Sequence, residues 1–355
     1  MTQAESERRC TGGNTMSAVR HVLEVDDLSA EEIVAVLDLA EQKACPPVLA
    51  GLGVALVFEK PSNRTRNATE MAVVQLGGHP VSLQATEVGL DVRETAEDVA
   101  RTLGSYHRIV CARTFAHTTL ERMAAALDGA GQGVPVVNLL SDESHPCQAL
   151  ADLLTLRQEL GGVEGRTVAW VGDGNNVARS LAIAVVRLGG RIRLAGPTGF
   201  TLDERSLARI RAAGPGEVEL VDRPGLAVEG ADAVATDVWA SMGQEDEAEE
   251  RRRAFAGWTV TSELLERAAP GGILLHCLPA HRSEEVAADA LEGPRSRVWQ
   301  QAANRMHAAR GLFLWLLQGP GPSGPAEREA PGPSGAAERE APGPGGAGER
   351  EAGAT

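Results

Sequence analysis

Lysine and aromatic side chains are scarce in this 355-residue chain, and acidic residues outnumber basic ones. Lysine occurs only at Lys43 and Lys60, and aromatic residues make up 3% of the sequence. The 34 basic and 49 acidic residues give a formal net charge of -15. A chain with this charge has no general attraction for nucleic acids or anionic membranes, so we expect neither as a partner.

The sequence also lacks paired cysteine motifs and long apolar runs. Its five cysteines, Cys10, Cys45, Cys111, Cys147 and Cys277, form no CxxC pair and no Cys/His ligand pattern. This spacing argues against a structural metal site and against a disulfide framework. No run approaches the ~18 apolar residues of a membrane span, and the polar start lacks a signal-peptide layout. The sequence therefore predicts a soluble protein of the reducing cytoplasm.

The two ends of the chain lack the apolar residues that a core requires. Residues 1–16 are mostly polar, and residues 319–355 repeat an eleven-residue pattern of the form GPSGPAEREAP. Proline and glycine break helices and strands, and the remaining residues of the repeat bury little apolar surface. We expect a disordered N-terminal extension and a disordered C-terminal repeat tail.

Between these ends, apolar runs such as GVALVF, RIVCAR, TVAWVG, RIRLAG, ADAVATDVW and GGILLHCLP alternate with helical patterns in the segments after Ser62, Asn175 and Ser262. The alternation predicts an α/β fold with two doubly wound parallel-sheet domains, at residues 17–148 and 149–296, joined by interdomain helices. The segment Pro146–Leu160 predicts a helix between the two halves. A last helix at 297–318 is apolar around most of its circumference toward its end, so we expect it to pack back on the first domain.

A strand that runs into a capped helix forms the first candidate site. After GVALVF, Ser62 is a good N-cap for a helix. The first turn of this helix offers free N–H groups, the hydroxyls of Ser62 and Thr65, and the guanidinium groups of Arg64 and Arg66. Such an array binds phosphate or carboxylate. The alternative interpretation is a capped helix with surface arginines, and the spacing is not that of a Walker loop.

Two later strands end in polar side chains that a parallel sheet would bring to one edge. ADAVATDVW ends in Asp237, a turn at Ser241 and Met242 follows, and GGILLHCLP ends with Cys277. Ligands bind at the carboxyl edge of open α/β sheets, so we expect the thiol and the carboxylate to share a site. A lone cysteine at this position would more often be a small buried apolar residue.

The segment TVAWVGDGNNVARS has the order of a dinucleotide-binding unit: a strand, a glycine-rich turn and a helix. Val177 occupies the position of the third glycine, and no acidic residue closes the next strand. The fingerprint is therefore incomplete, and we expect no nicotinamide cofactor.

Several motifs together resemble the aspartate and ornithine carbamoyltransferase family. FEKPSNRTR is similar to its carbamoyl-phosphate signature F-x-K-x-S-T-R-T-R, HPCQ to H-P-x-Q, and NRMH to E-N-R. DVWASMG and HCLPAHR are similar to motifs of the ornithine branch. Two positions depart from the pattern. Asn63 replaces the usual threonine or glycine, and Ala303 replaces the glutamate, which predicts weaker support for Arg305.

The resemblance implies a reaction, an oligomeric assembly and a substrate for each of the two domains. The chain would transfer the carbamoyl group of carbamoyl phosphate to the δ-amine of L-ornithine, giving L-citrulline and phosphate in arginine biosynthesis. No metal and no organic cofactor are implied, and the expected assembly is a homotrimer or a multiple of trimers. The first domain would bind carbamoyl phosphate, and the second, Rossmann-like domain would bind ornithine.

The resemblance also assigns roles to matching residues. Those expected to bind carbamoyl phosphate are Ser62, Asn63, Arg64, Thr65, Arg113, His145, Gln148, Cys277, Leu278 and Arg305. Those expected to bind ornithine are Asn176, Asp237, Ser241 and Met242. The expected catalytic side chains are Cys277, Arg305, His145 and Arg64. We expect Cys277 to orient the attacking amine or to help take its proton.

Two other functions remain open on the sequence alone. The first is a carbamoyltransferase for another amine such as putrescine, which would leave Asn176, Asp237 and Ser241 without an α-amino acid group to bind. The second is a catalytically silent binding or scaffold protein, which Asn63, Ala303 and the repeat tail suggest.

Overall fold

The computed structural model of the chain describes residues 19–240 and 247–318. This part contains two parallel β-sheets with helices packed on their faces. Within the same ranges, no helix is long and apolar enough to cross a membrane. Ser241, Met242 and the two segments expected to be disordered, 1–16 and 319–355, lie outside the described residues.

The first sheet is formed by the N-terminal half of the chain. Its strands are β1 (Gly53–Phe58), β2 (His79–Gln84), β3 (His107–Arg113) and β4 (Val136–Leu140). The helices of this half are α1 (Ala30–Glu41), α2 (Asn63–Gln75), α3 (Ala85–Val88), α4 (Ala96–Tyr106) and α5 (His117–Gly129), preceded by a short 3-10 turn at Val25–Asp27. The strand order is β2-β1-β3-β4, and all pairs are parallel. Alternate residues of β1 enter different cores, with Leu56 on one face and Val57 on the other.

Helix α6 (Pro146–Leu160) connects the two halves and has the predicted bounds. Proline is favourable in the first turn because its missing N–H would have no helical partner there. Gly161 ends the helix with a left-handed φ of 83°. Most of α6 is buried, so it lies inside the molecule and is not an exposed linker.

The second sheet is formed by the C-terminal half. Its strands are β5 (Thr167–Val171), β6 (Arg191–Ala195), β7 (Glu217–Val221), β8 (Ala233–Thr236) and β9 (Ile273–His276). The helices are α7 (Asn176–Arg187), α8 (Glu204–Ala212), α9 (Pro224–Val228), α10 (Ala248–Ala254), α11 (Ser262–Leu265) and α12 (Ala288–Leu291). The strand order is β7-β6-β5-β8-β9, again with parallel pairs.

The last helix, α13 (Val298–Gln318), packs against α1, α2 and α6. Its Arg310 donates hydrogen bonds to the carbonyl oxygens of Ala40 and Gln42 at the end of α1, at 2.6 and 2.9 Å. The same guanidinium donates to Gln75 Oε1 of α2 at 2.9 Å. These contacts fix the position of α13 on two helices of the N-terminal half.

The prediction of two doubly wound parallel-sheet domains is confirmed. Strands β2, β4 and β7 were not predicted. The residues of β2 and β7 are mostly half-buried or exposed, so these two strands lack the apolar runs of the central strands. Strand β4 is mostly buried. The helix expected after Ser262 is a single turn of four residues. Strands β8 and β9 end at Thr236 and His276, so Asp237 and Cys277 are the first residues beyond their strands.

We predict that Gly311→Ala lowers the thermal midpoint of unfolding. A Cβ atom at Gly311 would lie 2.4 Å from the carbonyl oxygen of Val36 and 2.8 Å from the amide nitrogen of Ala40, so α13 and α1 must move apart. Overpacking of this kind costs about 1–3 kcal/mol. Gly129→Ala in α5 is the matched control, because its Cβ would meet nothing within 4 Å. Equal midpoints for the two variants would contradict the close helix contact.

Candidate active site

One large cleft lies at the carboxyl ends of the two sheets. In each sheet, the successive strands are added in one direction and then in the other, on either side of two neighbouring strands. These strands are β1 and β3 in the first sheet, and β5 and β8 in the second. Ligands of open α/β sheets bind at such switch points. The cleft has a volume of about 1550 Å³ and is lined by residues that follow these strands. It includes every residue in the described part of the chain to which the family resemblance assigns a substrate or a catalytic role.

The N-terminus of α2 forms one wall of the cleft. Ser62 caps the helix, and its hydroxyl accepts the N–H of Thr65 at 3.3 Å. The Asn63 side chain accepts a hydrogen bond from Asn67 Nδ2 at 3.0 Å, so its amide is directed along the helix. Arg66 is exposed, pairs with Glu70 at 2.8 Å and is absent from the cleft lining. The prediction that Arg66 belongs to the anion array is therefore wrong, whereas Arg64 lines the cleft.

Three guanidinium groups converge on this wall: Arg64, Arg113 at the end of β3, and Arg305 from α13. Burial together with the charges of Arg305 and Arg64 lowers the pKa of Arg113 to about 10. Burial also lowers the pKa of Arg305. Arg113 Nε is buried and has no hydrogen-bond partner in the described part of the chain. Within residues 19–240 and 247–318, no carboxylate forms an ion pair with any of the three, so the cluster is suited to an external anion.

His145 lies beside this cluster and is 4% exposed. Its backbone N–H donates to Ser180 Oγ at 2.9 Å, whereas its ring Nδ1 is buried without a partner. Burial and the nearby arginines hold the pKa of the imidazole well below its usual range. His145 is therefore neutral at physiological pH and can offer a ring N–H without adding a fourth positive charge.

Arg305 is held by direct contacts with α6 and α2. Its Nη1 donates to Gln148 Oε1 at 2.5 Å, and its Nη2 donates to Thr65 Oγ1 at 3.0 Å. Gln148 in turn donates to Asp152, a buried carboxyl whose pKa burial raises to about 6. Ala303 is exposed, and two residues along a helix point to different sides. The expected weakening at Arg305 is therefore not evident, because its hydrogen bonds come from other elements.

The opposite wall carries Asp237 and Cys277. The Cys277 thiol donates to Asp237 Oδ1 at 2.9 Å, and Asn175 Nδ2 donates to Asp237 Oδ2 at 2.9 Å. Burial and the charge of Asp237 raise the pKa of the Cys277 thiol well above its usual range. The sulfur is therefore protonated in this state and acts as a donor. This wall presents a carboxylate to a ligand, which suits a cationic group.

The two asparagines at the start of α7 have different partners. Asn175 is the N-cap, and its Oδ1 accepts the N–H groups of Val177 and Ala178. Asn176, predicted to bind ornithine, lines the cleft and donates to the carbonyl oxygen of Ser141 at 2.6 Å. Sequence reasoning missed the contact between Asn175 and Asp237. The N-cap position of Asn175 beside a glycine-rich turn is the signal that could have found it.

The turn after β9 has an unusual backbone at Leu278, whose φ is 61°. This left-handed value is rare for leucine and is typical of functional sites. The Leu278 N–H donates to His276 Nδ1 at 2.9 Å, and His276 Nε2 lies 2.9 Å from Glu285 Oε1. Although Asp237, His276 and Cys277 place potential metal ligands within 4.8 Å of one another, both ring nitrogens of His276 are already used. The group is a hydrogen-bonded network and does not fit a metal ion.

We predict that alkylation of Cys277 by iodoacetamide is slow at pH 8 and accelerates in Asp237→Asn. The carboxylate raises the thiol pKa, so its removal lowers that pKa, and each unit increases the thiolate fraction about tenfold at a fixed pH below it. Peptide mass spectrometry against pH measures the rate at this site, with the half-buried Cys45 as internal reference. Identical Cys277 rates in the two proteins would show that Asp237 does not hold the thiol.

Comparisons with known proteins agree with both walls of the cleft. The carbamoyl-P binding domain of aspartate/ornithine carbamoyltransferase matches residues 20–158, and the Asp/Orn binding domain matches residues 164–316. An ornithine carbamoyltransferase of Acidothermus cellulolyticus is 48% identical over 317 residues, which are 86% of this chain and 99% of that protein. The structure of ornithine carbamoyltransferase from Pyrococcus furiosus has a TM-score of 0.80 and 43% identity, covering 85% of this chain and 98% of its own. The corresponding structure from Thermus thermophilus has a TM-score of 0.76, 43% identity, and coverage of 85% and 100%. This chain belongs to the aspartate/ornithine carbamoyltransferase family.

Proposed function

We propose that this chain is a transferase that moves the carbamoyl group of carbamoyl phosphate to the δ-amine of L-ornithine, giving L-citrulline and phosphate in arginine biosynthesis. The observation that carries the proposal is the opposition of two charged walls in one cleft. Three arginines, which pair with no carboxylate among the described residues, face a carboxylate that accepts a hydrogen bond from a thiol. An acyl phosphate and an amino acid with a cationic side chain match these two walls.

The phosphate of carbamoyl phosphate is assigned to the α2 wall. Arg64, Arg113 and the N–H groups from Asn63 to Thr65 would hold its oxygens, with the hydroxyls of Ser62 and Thr65 as further donors. Negative charge grows on the phosphate as it leaves, so these fixed donors stabilise the transition state more than the ground state. Burial excludes water and strengthens each contact.

The carbamoyl group is assigned to Arg305, His145 and Gln148. Arg305 and the neutral His145 ring would donate hydrogen bonds to the carbonyl oxygen and polarise it. Gln148 and the backbone carbonyl of Cys277 or Leu278 would hold the amide side of the group. The left-handed backbone at Leu278 supports this role, because it directs the peptide groups of this turn differently from an extended strand.

Ornithine is assigned to the opposite wall. Asp237 would bind its amino groups, Asn176 its α-carboxylate, and Ser241 and Met242 would complete the pocket. An alkyl ammonium titrates near pH 10, so its neutral form must be favoured before attack. Desolvation in the cleft favours that form, and Cys277 orients the amine by a hydrogen bond. The amine nitrogen forms the new C–N bond, the C–O bond to phosphate breaks with its electron pair leaving on the phosphate, and the proton that the amine loses passes to the departing phosphate. Cys277 is not a covalent nucleophile in this scheme.

We further propose which part of the chain binds each substrate, how the chain assembles and where the enzyme acts. Residues 17–148 would bind carbamoyl phosphate, residues 149–296 would bind ornithine, and residues 297–318 would return Arg305 to the first domain. The active assembly would be a homotrimer or a multiple of trimers in the cytoplasm, acting without metal or organic cofactor.

The first test is product formation from purified protein with carbamoyl phosphate and one of three amines. We expect citrulline from ornithine, and rates about 100-fold or more lower with putrescine, because polar groups built for the α-amino acid would be left unpaired. Aspartate should give no carbamoyl product. Faster turnover of putrescine would reassign the substrate, and no product from any amine would favour a silent binding protein.

The second test separates the two walls by mutation. Arg64→Ala should weaken carbamoyl-phosphate binding about 10- to 100-fold, because one charge-assisted contact is lost. Arg66→Ala, exposed and paired with Glu70, is the matched control and should bind normally. Isothermal calorimetry with carbamoyl phosphate measures both, and a large effect at Arg66 alone would reverse the assignment.

Cys277→Ala and Asp237→Asn should chiefly impair ornithine use. The kcat should fall and the KM for ornithine should rise. Both changes should be larger for Asp237→Asn, because this substitution removes a charged partner of ornithine. Carbamoyl-phosphate affinity should change much less. Steady-state kinetics for both substrates provide the measurement, and collapse of carbamoyl-phosphate binding with intact ornithine kinetics would show that the walls are assigned the wrong way round.

A further inference from the structure

A buried chain of hydrogen bonds runs between the two walls of the cleft, and of its members only Gln148 would touch substrate. It consists of Gln148, Asp152, Gln301 and the backbone N–H of His276, and is named here the amide relay. Gln148 Nε2 and Gln301 Nε2 both donate to Asp152 Oδ1 at 2.7 Å. Gln301 Oε1 accepts the His276 N–H at 2.8 Å. The three side chains are 1 to 2% exposed.

Asp152 determines which way the two amides face. An ionised carboxylate only accepts hydrogen bonds, so each glutamine must turn its NH₂ group toward it. The oxygen of Gln148 is then directed at Arg305 Nη1, 2.5 Å away, and the oxygen of Gln301 at the His276 N–H. If either amide rotated by half a turn, its NH₂ group would face another buried N–H donor, and this contact would be unfavourable.

The two ends of the amide relay reach different half-sites. At one end, Gln148 holds Arg305, which is assigned to the carbamoyl group. At the other end, Gln301 accepts the backbone N–H of His276, the residue before Cys277. The imidazole ring of His276 also accepts the Leu278 N–H. Helix α13 supplies both Gln301 and Arg305, so one rigid element links these ends.

We propose that Asp152 and Gln301 are positioning residues that fix the carbamoyl-binding side chains relative to the Cys277 turn. The proposal rests on the function proposed above for this cleft. Neither residue touches the substrate in this scheme. Gln301 acts through the His276 peptide and Asp152, and Asp152 acts through Gln148. The charged or titratable groups that face Asp152 are Arg305 from α13, Asp237 beyond β8 and Cys277 beyond β9.

The neighbouring glutamine provides a matched control. Gln300 lies on the exposed side of α13 and donates to Gln158 Oε1 at 2.8 Å. Gln301→Leu and Gln300→Leu therefore make the same chemical change on one helix, and only the first breaks the amide relay. Thermal unfolding of both variants establishes that they fold.

The first experiment measures binding by calorimetry, with carbamoyl phosphate and inorganic phosphate as separate probes. Gln301→Leu should weaken carbamoyl-phosphate binding about tenfold, because Gln148 and Arg305 lose their fixed orientation. Inorganic phosphate, held by Arg64 and Arg113, should bind within about twofold of the wild-type affinity. Unchanged affinity for carbamoyl phosphate would overturn the proposal, and so would equal losses for the two probes, which would indicate general damage to the anion site.

The second experiment uses Gln301→Glu, which keeps the side-chain volume and the acceptor for the His276 N–H. Its second oxygen faces Asp152, so the pair needs a shared proton to restore the missing donor. The turnover of this variant relative to wild type should therefore fall about tenfold between pH 6 and pH 9 as that proton is lost. A ratio that is constant across this range would overturn the positioning role.

These outcomes are distinguishable from failure of the proposed function. If the wild-type protein forms no citrulline, the proposed function fails, but the comparison of carbamoyl phosphate with inorganic phosphate still decides the role of the amide relay, because it requires no turnover. If citrulline forms and Gln301→Leu binds both probes normally, the function stands and the positioning role falls.

Discussion

The structure depends on bringing Arg64, Arg113 and Arg305 together without neutralising them. Each comes from a different element: the first turn of α2, the end of β3 and the middle of α13. Like charges in a buried place oppose folding, and the lowered pKa of Arg113 reflects that opposition. The surrounding core therefore has to hold the cluster in place. The packing of α13 on α1 and α2, fixed by Arg310, supplies that constraint.

The opposite wall has the complementary charge. Asp237 accepts hydrogen bonds from a neutral thiol and from the amide of Asn175, so its negative charge is oriented, and no cation of the described residues forms an ion pair with it. One side of the cleft therefore suits an anion, and the other suits an ammonium group. Burial and the charge of Asp237 raise the pKa of the Cys277 thiol and keep it protonated, so Cys277 is a hydrogen-bond donor in the free enzyme and has no thiolate chemistry in its role.

Much of this arrangement could be predicted from sequence because it depends on local signals. Ser62 caps α2, Pro146 and Gly161 bound α6, and the motif order indicated the family. Other features depend on tertiary geometry. Arg64 and Arg66 are chemically alike, but only their positions around the helix decide which enters the cleft. The edge strands β2 and β7 have weak apolar patterns, and the contact between Gln301 and Asp152 joins residues 149 positions apart.

The arginine cluster opposes folding in the phosphate-free protein, and we expect bound phosphate to relieve this opposition. The most direct test is the free energy of unfolding of wild type and Arg113→Met, each with and without inorganic phosphate. Because burial and like charges lower the pKa of Arg113 in the folded protein, its charge opposes folding at neutral pH, and the neutral methionine should stabilise the phosphate-free protein by on the order of 1–3 kcal/mol. Phosphate should stabilise the wild type and stabilise the variant far less. If Arg113→Met is less stable than the wild type without phosphate, and phosphate stabilises both proteins equally, then the arginine cluster neither opposes folding nor binds phosphate through Arg113.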